Sequence, residues 1–290
     1  MRRSVADVVQ DYVSLTKPRI VLLLLATAIG PMFPAAHGWP RPALVLAVIL
    51  GGSLAAGGAG SINCWFDRDI DASMRRTRRR PLPGGRIPAA HALILGIALN
   101  ILAFAILFAL ANLLAASLAL LGTLLYVFVY TIWLKRSTPQ NIVIGGAAGA
   151  IPPLVGWAAV TGSLDLTALA LFAVIFLWTP PHFWSLAQML KSDYSAAGVP
   201  MLPVVADART VKLESLAYAL PLVLVSTVPF VTGAAGPAYL VGVLGLGLVY
   251  VGLLAVDLIR GHLAGRLFAY SIVYLGGVFG LLALAPLMGQ

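Results

Sequence analysis

Long stretches without a charged side chain dominate the chain. The stretches free of Asp, Glu, Lys and Arg cover residues 20–40, 42–66, 87–134, 137–164, 166–190, 215–256 and 267–290. A membrane-crossing helix needs about 20 mostly apolar residues. The stretch 87–134 is long enough for two helices and is broken at Asn112, and 215–256 is broken at Gly233–Pro237. The pattern therefore predicts nine spans. We place them near 20–37, 42–63, 91–111, 113–134, 141–160, 166–188, 213–232, 238–256 and 268–288.

The apolar runs favour helices over a membrane β-barrel. Barrel strands alternate between apolar and polar residues over segments of about ten, whereas Val21–Leu25 and Leu169–Phe176 are apolar throughout. Hydrophobic residues make up 60% of the chain and charged residues 10%, and the mean hydropathy is +0.96. A soluble domain, with about 25% charged residues, is excluded, as is disorder. The single cysteine, Cys64, excludes an internal disulfide and a cysteine-cluster metal site.

Positive charge lies almost entirely on one side of the predicted bundle. The segments on that side hold 18 of the 19 Lys and Arg residues, with Arg41 as the exception. The positive-inside rule then places the N-terminus in the cytoplasm and the C-terminus outside. We expect residues 1–19 to be a retained, partly amphipathic cytoplasmic segment. The net charge of +9 indicates topology and anionic lipid or phosphate partners, and we expect no nucleic-acid partner.

Three polar side chains are spaced by four where the second span reaches the cytoplasm. Asn63, Asp67 and Asp71 fall on one face of a helix, and Asp69 points elsewhere. An amide oxygen and two carboxylates are hard ligands of the kind that Mg²⁺ prefers beside substrate phosphates. Like charges this close also repel each other unless a cation is present. The row therefore predicts a Mg²⁺ site, and a merely solvated helix end is the alternative.

Five arginines follow the row within residues 75–80. The planar arginine side chain suits phosphate oxygens because it donates two parallel hydrogen bonds. Carboxylates, a divalent cation and arginines together are typical of a diphosphate site. Such a run also acts as a topology signal, and we expect only two or three of the arginines to have a further role.

Further candidates lie at the same predicted membrane face. The segment after the sixth span carries Asp193, and a repeated four-helix unit would bring the ends of spans 2 and 6 together. His182 lies within span 6, where an intramembrane histidine is either functional or a hydrogen-bonded core residue. Lys17 and Arg19 open span 1 and either reach a cytoplasmic anion or only anchor the helix. Tyr130, Lys135, Lys191 and Tyr194 are the remaining candidates on that side.

Together these motifs resemble the UbiA superfamily of intramembrane prenyltransferases. The resemblance rests on Leu15–Ile20, Asn63–Ala72, Arg76-Thr77 with Arg80-Pro81, Tyr130-Thr131 with Lys135-Arg136, Gly145–Gly156, Trp178–Trp184 and Asp193–Pro203. It covers about two-thirds of the chain. Within the superfamily the last two motifs are most similar to the branch that farnesylates protoheme IX. Where many members carry a second Asp-x-x-x-Asp, this chain has Ala197 four residues after Asp193.

The resemblance implies an all-α bundle of nine transmembrane helices. It implies one catalytic domain, residues 1–290, with catalytic cytoplasmic loops 64–90 and 189–212. The expected reaction is Mg²⁺-dependent farnesyl transfer from farnesyl diphosphate to heme b, a substrate and not a cofactor, which gives heme O. Asn63, Asp67, Asp71 and Asp193 would be catalytic and would hold the metal. Lys17, Arg19, Arg76, Arg80, Tyr130, Lys135, Lys191, Tyr194 and His182 would bind substrate.

The resemblance also implies a multi-pass protein of the cell (inner) membrane, surrounded by lipid, with its active site facing the cytoplasm. A heme A synthase or a terminal oxidase would be an assembly partner.

Three other functions stay open at this point. They are a prenyltransferase for a quinone precursor or another aromatic acceptor, a secondary transporter, and a membrane phosphotransferase. A transporter would place ionisable groups at mid-membrane, whereas the acids here gather at one face. The phosphotransferase motif, with its Asp-Gly and Ala-Arg spacing, is absent from the sequence.

Overall fold

The computed structural model describes residues 4–287 and contains helices and no strands in that part of the chain. Within it, nine helical segments, some made of two or three consecutive helices, are long and apolar enough to cross a membrane. Spans 1 to 9 are Pro18–Ala35, Pro42–Phe66, Ala89–Leu110, Leu113–Arg136, Asn141–Thr161, Leu166–Met189, Ala208–Val231, Pro237–Arg260 and Ala264–Leu284. The predicted number and order of spans are confirmed. Arg2, Arg3 and residue 288, the predicted end of span 9, lie outside the described residues.

Short helices accompany the spans on the predicted cytoplasmic side. They are the N-terminal helix Val5–Leu15 and the helices Arg68–Ser73, Lys191–Ala196 and Leu202–Val205. On the other side, a 3₁₀ turn at Ala285–Leu287 follows span 9. Four spans are divided internally. The divisions are Pro18–Ile29 with Met32–Ala35, Leu113–Leu124 with Leu125–Trp133 and Leu134–Arg136, Asn141–Gly149 with Ile151–Thr161, and Ala208–Val225 with Val228–Val231.

Several spans extend further toward the predicted cytoplasmic side than the uncharged stretches predicted. Span 7 begins at Ala208 rather than at 213, because the Asp207 side chain accepts hydrogen bonds from the Arg209 and Thr210 amides at 2.9 and 3.0 Å. Such a cap supplies acceptors that the first turn of a helix otherwise lacks. Span 8 ends at Arg260, four residues later than predicted. The prediction stopped at charged residues, whereas the helices continue beyond the apolar layer.

Consecutive spans pack against each other, and span 9 contacts span 1 to complete the bundle. Spans 5 and 6 also make contacts across it, span 5 with spans 1 and 2 and span 6 with span 9. Glycine permits the closest approach. A Cβ on Gly156 in span 5 would lie 1.7 Å from the carbonyl oxygen of Ala28 in span 1, so only glycine lets the two backbones meet there. The bundle brings the ends of spans 1, 2, 4 and 6 to one face.

Candidate active site

The row of Asn63, Asp67 and Asp71 forms where span 2 ends. Asp67 is the junction between span 2 and the short helix Arg68–Ser73, and backbone bonds of 2.9 and 2.8 Å carry the four-residue spacing through it. The three residues are 4%, 1% and 4% exposed. The Asn63 amide donates to Asp67 Oδ2 at 2.7 Å. The predicted row is therefore a single buried cluster, while Asp69 points outward, as expected.

Cationic side chains from three separate segments reach this row. Lys17 Nζ donates to Asn63 Oδ1 at 2.5 Å, Lys135 donates to Asp67 Oδ2, and Arg80 Nη1 donates to Asp71 Oδ2 at 2.8 Å. They come from the start of span 1, the end of span 4 and the loop after span 2. The sequence analysis expected the repulsion between carboxylates to require a cation. The positive charges of these side chains offset part of the repulsion between the carboxylates.

Lys17 has an unusual backbone conformation. Its φ of +53° and ψ of 57° are left-handed, and it immediately precedes Pro18. A non-glycine residue in this region costs on the order of 1 kcal/mol and persists where its surroundings enforce it. Gly60 leaves room for the turn, because a Cβ there would lie 3.3 Å from the Leu15 carbonyl oxygen and 3.5 Å from Lys17 Cδ. The turn directs the amine of Lys17 to Asn63.

A π-helix at Leu125–Trp133, in span 4, contacts the carboxylate row. Thr131 Oγ1 accepts from the Asn63 amide at 3.0 Å and donates to the Tyr126 carbonyl oxygen at 2.8 Å. The Tyr126 and Tyr130 rings stack with centroids 5.6 Å apart, and Tyr126 OH lies 3.4 Å from Lys17 Nζ. π-Helical segments are rare and are frequent at functional sites. Tyr126 was not among the predicted residues, although its spacing from Tyr130 carries a signal. Thr131 was named only within the Tyr130-Thr131 motif and had no predicted role.

Arg136 is a further residue that the candidate set omitted. Its guanidinium donates to both carboxylate oxygens of Asp69 at 2.7 Å and lies 3.6 Å from Asp67 Oδ1. The hydrogen bonds from Arg136 lower the pKa of Asp69 to about 2. Asp69 thus holds Arg136 beside the buried carboxylate, although its own side chain is mostly exposed.

The arginine run borders an open cleft, which we name the arginine cleft. Its lining includes Arg76, Arg79, Arg80, Arg86, Asp71 and Gln10, Asp11 and Ser14 of the N-terminal helix, and it encloses about 400 Å³. Arg80 is partly buried on Asp71, while Arg75, Arg76, Arg78 and Arg79 are exposed. The Thr77 hydroxyl donates to the Asp71 carbonyl oxygen at 2.9 Å and fixes the loop. The arginine cleft therefore joins the carboxylate row to the protein surface.

The segment after span 6 packs beside the same row. Tyr194, Val199 and Met201 share one buried apolar cluster with Ile70 and Met74 of the loop after span 2. The ends of spans 2 and 6 thus meet, as the sequence analysis expected. Burial raises the pKa of the Tyr194 phenol, which keeps it protonated at neutral pH.

Six of the predicted residues make no side-chain hydrogen bond within residues 4–287, namely Arg19, Arg76, Tyr130, Lys191, Asp193 and Tyr194. Asp193 is half-buried next to Tyr194, and Lys191 and Arg19 are exposed. Among the described residues, no three His, Cys, Asp or Glu side chains converge as a metal cluster. The roles given to these six residues, like those of the other candidate residues, stay predictions.

His182 lies between spans 6 and 9. Its ring stacks between Trp178 and Phe268, with centroid distances of 4.1 and 4.8 Å, and Nδ1 is 2.7 Å from Ser271 Oγ. These contacts describe a hydrogen-bonded core histidine, the alternative considered in the sequence analysis. Contact with heme stays a prediction.

The model of the UbiA prenyltransferase family matches residues 23–272. The chain belongs to the UbiA prenyltransferase family. Its members include a Symbiobacterium thermophilum protein named protoheme IX farnesyltransferase, 52% identical over 94% of this chain and 93% of that protein. Proteins of the same name from Roseiflexus sp. and Chloroflexus aurantiacus are also 52% identical over 94% of this chain, but the matches cover 52% and 47% of their lengths. The chain thus spans about half of these two relatives.

Solved structures of UbiA-type proteins share the fold. A digeranylgeranylglyceryl phosphate synthase matches 98% of this chain and all of its own, with a TM-score of 0.78 and 17% identity. A UbiA homolog from Archaeoglobus fulgidus bound to DMAPP and Mg²⁺ matches 94% of this chain and 99% of its own, with a TM-score of 0.68 and 17% identity. At these identities the likeness establishes a multi-pass UbiA-type helical bundle.

The residues present suit a hard divalent cation. Asp67 Oδ1 is buried and has no hydrogen-bond partner, although a buried carboxylate oxygen normally has one. The Asn63 amide donates to the other oxygen of the same carboxylate, Oδ2, at 2.7 Å. Magnesium commonly binds to one or two carboxylates and completes its shell with water and substrate phosphates. The carboxylate and amide oxygens of the row therefore fit the ligand chemistry of Mg²⁺.

Proposed function

We propose that this chain is a protoheme IX farnesyltransferase that converts farnesyl diphosphate and heme b to heme O and diphosphate. The convergence of Lys17, Lys135 and Arg80 on the buried Asn63, Asp67 and Asp71 carries the proposal. Polar groups of both signs, gathered at a span end beside the arginine cleft, suit a diphosphate whose apolar tail lies among the helices. The relatives of that name support heme b as acceptor and farnesyl as the transferred group.

The reaction breaks the bond between C1 of farnesyl and the diphosphate oxygen, and the electron pair leaves with diphosphate. The terminal vinyl carbon of heme b forms the new bond to C1. Water adds to the inner vinyl carbon and loses a proton, which leaves a hydroxyethylfarnesyl group. Negative charge thus grows on the leaving group while positive charge grows on carbon. The protein must stabilise both charges and keep other water away from the reacting carbon.

The carboxylate row and the cations around it act on the leaving group. Asn63, Asp67 and Asp71 would hold Mg²⁺, with Asp193 as a further ligand, and the bound ion supplies positive charge to the departing diphosphate. The Archaeoglobus protein of the same fold is bound to Mg²⁺, which supports a metal-dependent reaction. Lys17, Lys135, Arg76 and Arg80 donate hydrogen bonds to phosphate oxygens, and Arg19 and Lys191 add to the positive potential. Fixed donors aimed at developing charge are a large source of catalysis.

Aromatic side chains next to the row face the carbon side of the reaction. The stacked rings of Tyr126 and Tyr130 offer electron-rich faces to an allylic cation, an attraction of about 0.5–2 kcal/mol. Tyr194 remains a hydrogen-bond donor because burial raises its pKa. The apolar spans hold the farnesyl chain, and His182 is proposed to contact heme.

We propose that the enzyme lies in the cell (inner) membrane with its active site facing the cytoplasm. The excess of Lys and Arg on that side supports the orientation. The catalytic loops are 64–90 and 189–212 of a single domain, residues 1–290. A heme A synthase or terminal oxidase would receive the product.

A product assay tests the acceptor. The full chain in detergent receives farnesyl diphosphate, Mg²⁺ and either heme b or the quinone precursor 4-hydroxybenzoate, and products are read by mass. A heme that gains one farnesyl group and one water is the expected product. Farnesylated 4-hydroxybenzoate with unchanged heme would instead assign the chain to a quinone pathway.

A further inference from the structure

The N-terminal helix Val5–Leu15 carries an apolar stripe that the described chain leaves uncovered. Val5, Val9 and Val13 are spaced by four, so their side chains lie along one face. They are 80%, 54% and 49% exposed. A fully solvated stripe of this kind is unfavourable in water, because the transfer of apolar side chains out of water is favourable. Something apolar is therefore expected against it.

Contacts in its second half fix the depth of this helix. Tyr12 OH is 2.8 Å from Nδ1 of His91, which lies in the first turn of span 3. Leu15 is buried in a cluster with Cys64, in the last turn of span 2. Span 1 begins at Pro18, three residues after the helix ends. These contacts hold the helix at the level where three spans enter or leave the membrane.

The opposite side of the helix is polar and faces the protein. Asp11 accepts hydrogen bonds from Arg86 Nε and Nη2 at 3.1 Å. Asp11, Gln10 and Ser14 line the arginine cleft. The helix is thus divided between a polar side that borders the cleft and a valine stripe that faces outward.

Span 1, which follows the helix, also exposes apolar side chains near its start. Ile20, Leu22 and Leu23 are 53%, 67% and 57% exposed, as expected of side chains that face lipid. We propose that the valine stripe lies in the lipid at the membrane surface, so that the helix forms the wall between the bilayer and the arginine cleft. Amphipathic helices of this kind bury their apolar face ~5–10 Å into the region between head groups and acyl chains.

Single labels measure the position of the stripe. The full chain with Cys64→Ala receives one cysteine at Val5, Val9, Val13, Gln10 or Ser14, each labelled with bimane and reconstituted in phosphatidylcholine–phosphatidylglycerol nanodiscs. Lipids brominated near the head group quench from the lipid side, and iodide quenches from water. An unchanged unfolding midpoint verifies that each labelled protein is folded. Gln10 and Ser14 are the matched controls on the polar side of the same helix.

We expect brominated lipid to quench the labels at 5, 9 and 13 by about twofold or more, with weak iodide quenching. The labels at 10 and 14 should respond in the opposite way. Equal responses at all five positions would overturn the proposal. Valine-stripe labels insensitive to both quenchers would also overturn it, because a second copy or another protein would then cover the stripe.

Discussion

The amine of Lys17 lies 2.5 Å from Oδ1 of Asn63, a residue 46 positions later in the chain. The bond joins the turn before span 1 to the end of span 2. The same amide side chain donates to Asp67 and to Thr131. Asn63 is therefore fixed from three sides, and the row that it begins depends on spans 1 and 4 as well as on span 2.

Replacing Lys17 with methionine is expected to reduce kcat/KM for farnesyl diphosphate. A hydrogen bond to a charged group contributes about 1.5–3 kcal/mol, which corresponds to about 10–100-fold. Steady-state kinetics at saturating heme b measures the effect. Arg209→Met, an exposed cation on the same predicted face, is the control and should stay near wild type. Equal losses in both variants would mean that only the overall positive charge matters.

Arg80 and Arg78 belong to the same run but differ in their contacts. Arg80 is bonded to Asp71 at 2.8 Å, whereas Arg78 is exposed. Arg80→Gln should lower kcat/KM by about 10–100-fold, since it removes a charge-assisted bond beside the substrate phosphates. Arg78→Gln should change it by less than about twofold, in line with the small contributions of exposed charges. The same kinetic assay separates them. Similar effects would favour a topology signal as the sole purpose of the run.

Thr131 is a positioning residue for Asn63. Thr131→Val keeps the shape of the side chain and removes the hydroxyl that accepts from the Asn63 amide. Leaving that buried amide short of a partner costs about 1–3 kcal/mol. We expect kcat to fall by about tenfold and the Mg²⁺ concentration for half-maximal rate to rise. Thr131→Ser restores the hydroxyl and should recover both values. A drop in kcat without any change in magnesium dependence would contradict the positioning role.

Gly156 tests the packing of the bundle. A Cβ there would collide with the Ala28 carbonyl oxygen at 1.7 Å. Gly156→Ala should destabilise the protein at the upper end of the ~1–3 kcal/mol typical of overpacking. The unfolding midpoint in detergent measures the effect. Gly252→Ala, where a Cβ meets nothing within 4 Å, should leave the midpoint unchanged or raise it. An unchanged midpoint for Gly156→Ala would contradict the close contact between spans 1 and 5.

Features that depend on composition and on the spacing of residues along a helix were predicted from the sequence. Uncharged stretches gave nine spans in order, and the spacing of Asn63, Asp67 and Asp71 gave their common face. The role of Thr131 could not be predicted in this way, because nothing in the apolar sequence marks where span 4 becomes a π-helix. The π-helix changes which side chains share a face. The pairing of Arg136 with Asp69 depends on how spans 2 and 4 meet, which no local pattern contains. The start of span 7 was missed because Asp207 caps the helix beyond the apolar stretch.

The central claim is that the buried row activates farnesyl diphosphate for transfer to heme. The decisive measurement compares farnesylated heme formed by Asp67→Asn and by Asp69→Asn, two carboxylates that are two residues apart but differ in burial. The account predicts that Asp67→Asn loses product by about 10²-fold or more, that EDTA does the same to the wild type, and that added Mg²⁺ restores only the wild type. Asp69→Asn should retain most activity. Full heme farnesylation by Asp67→Asn in folded protein would contradict the account.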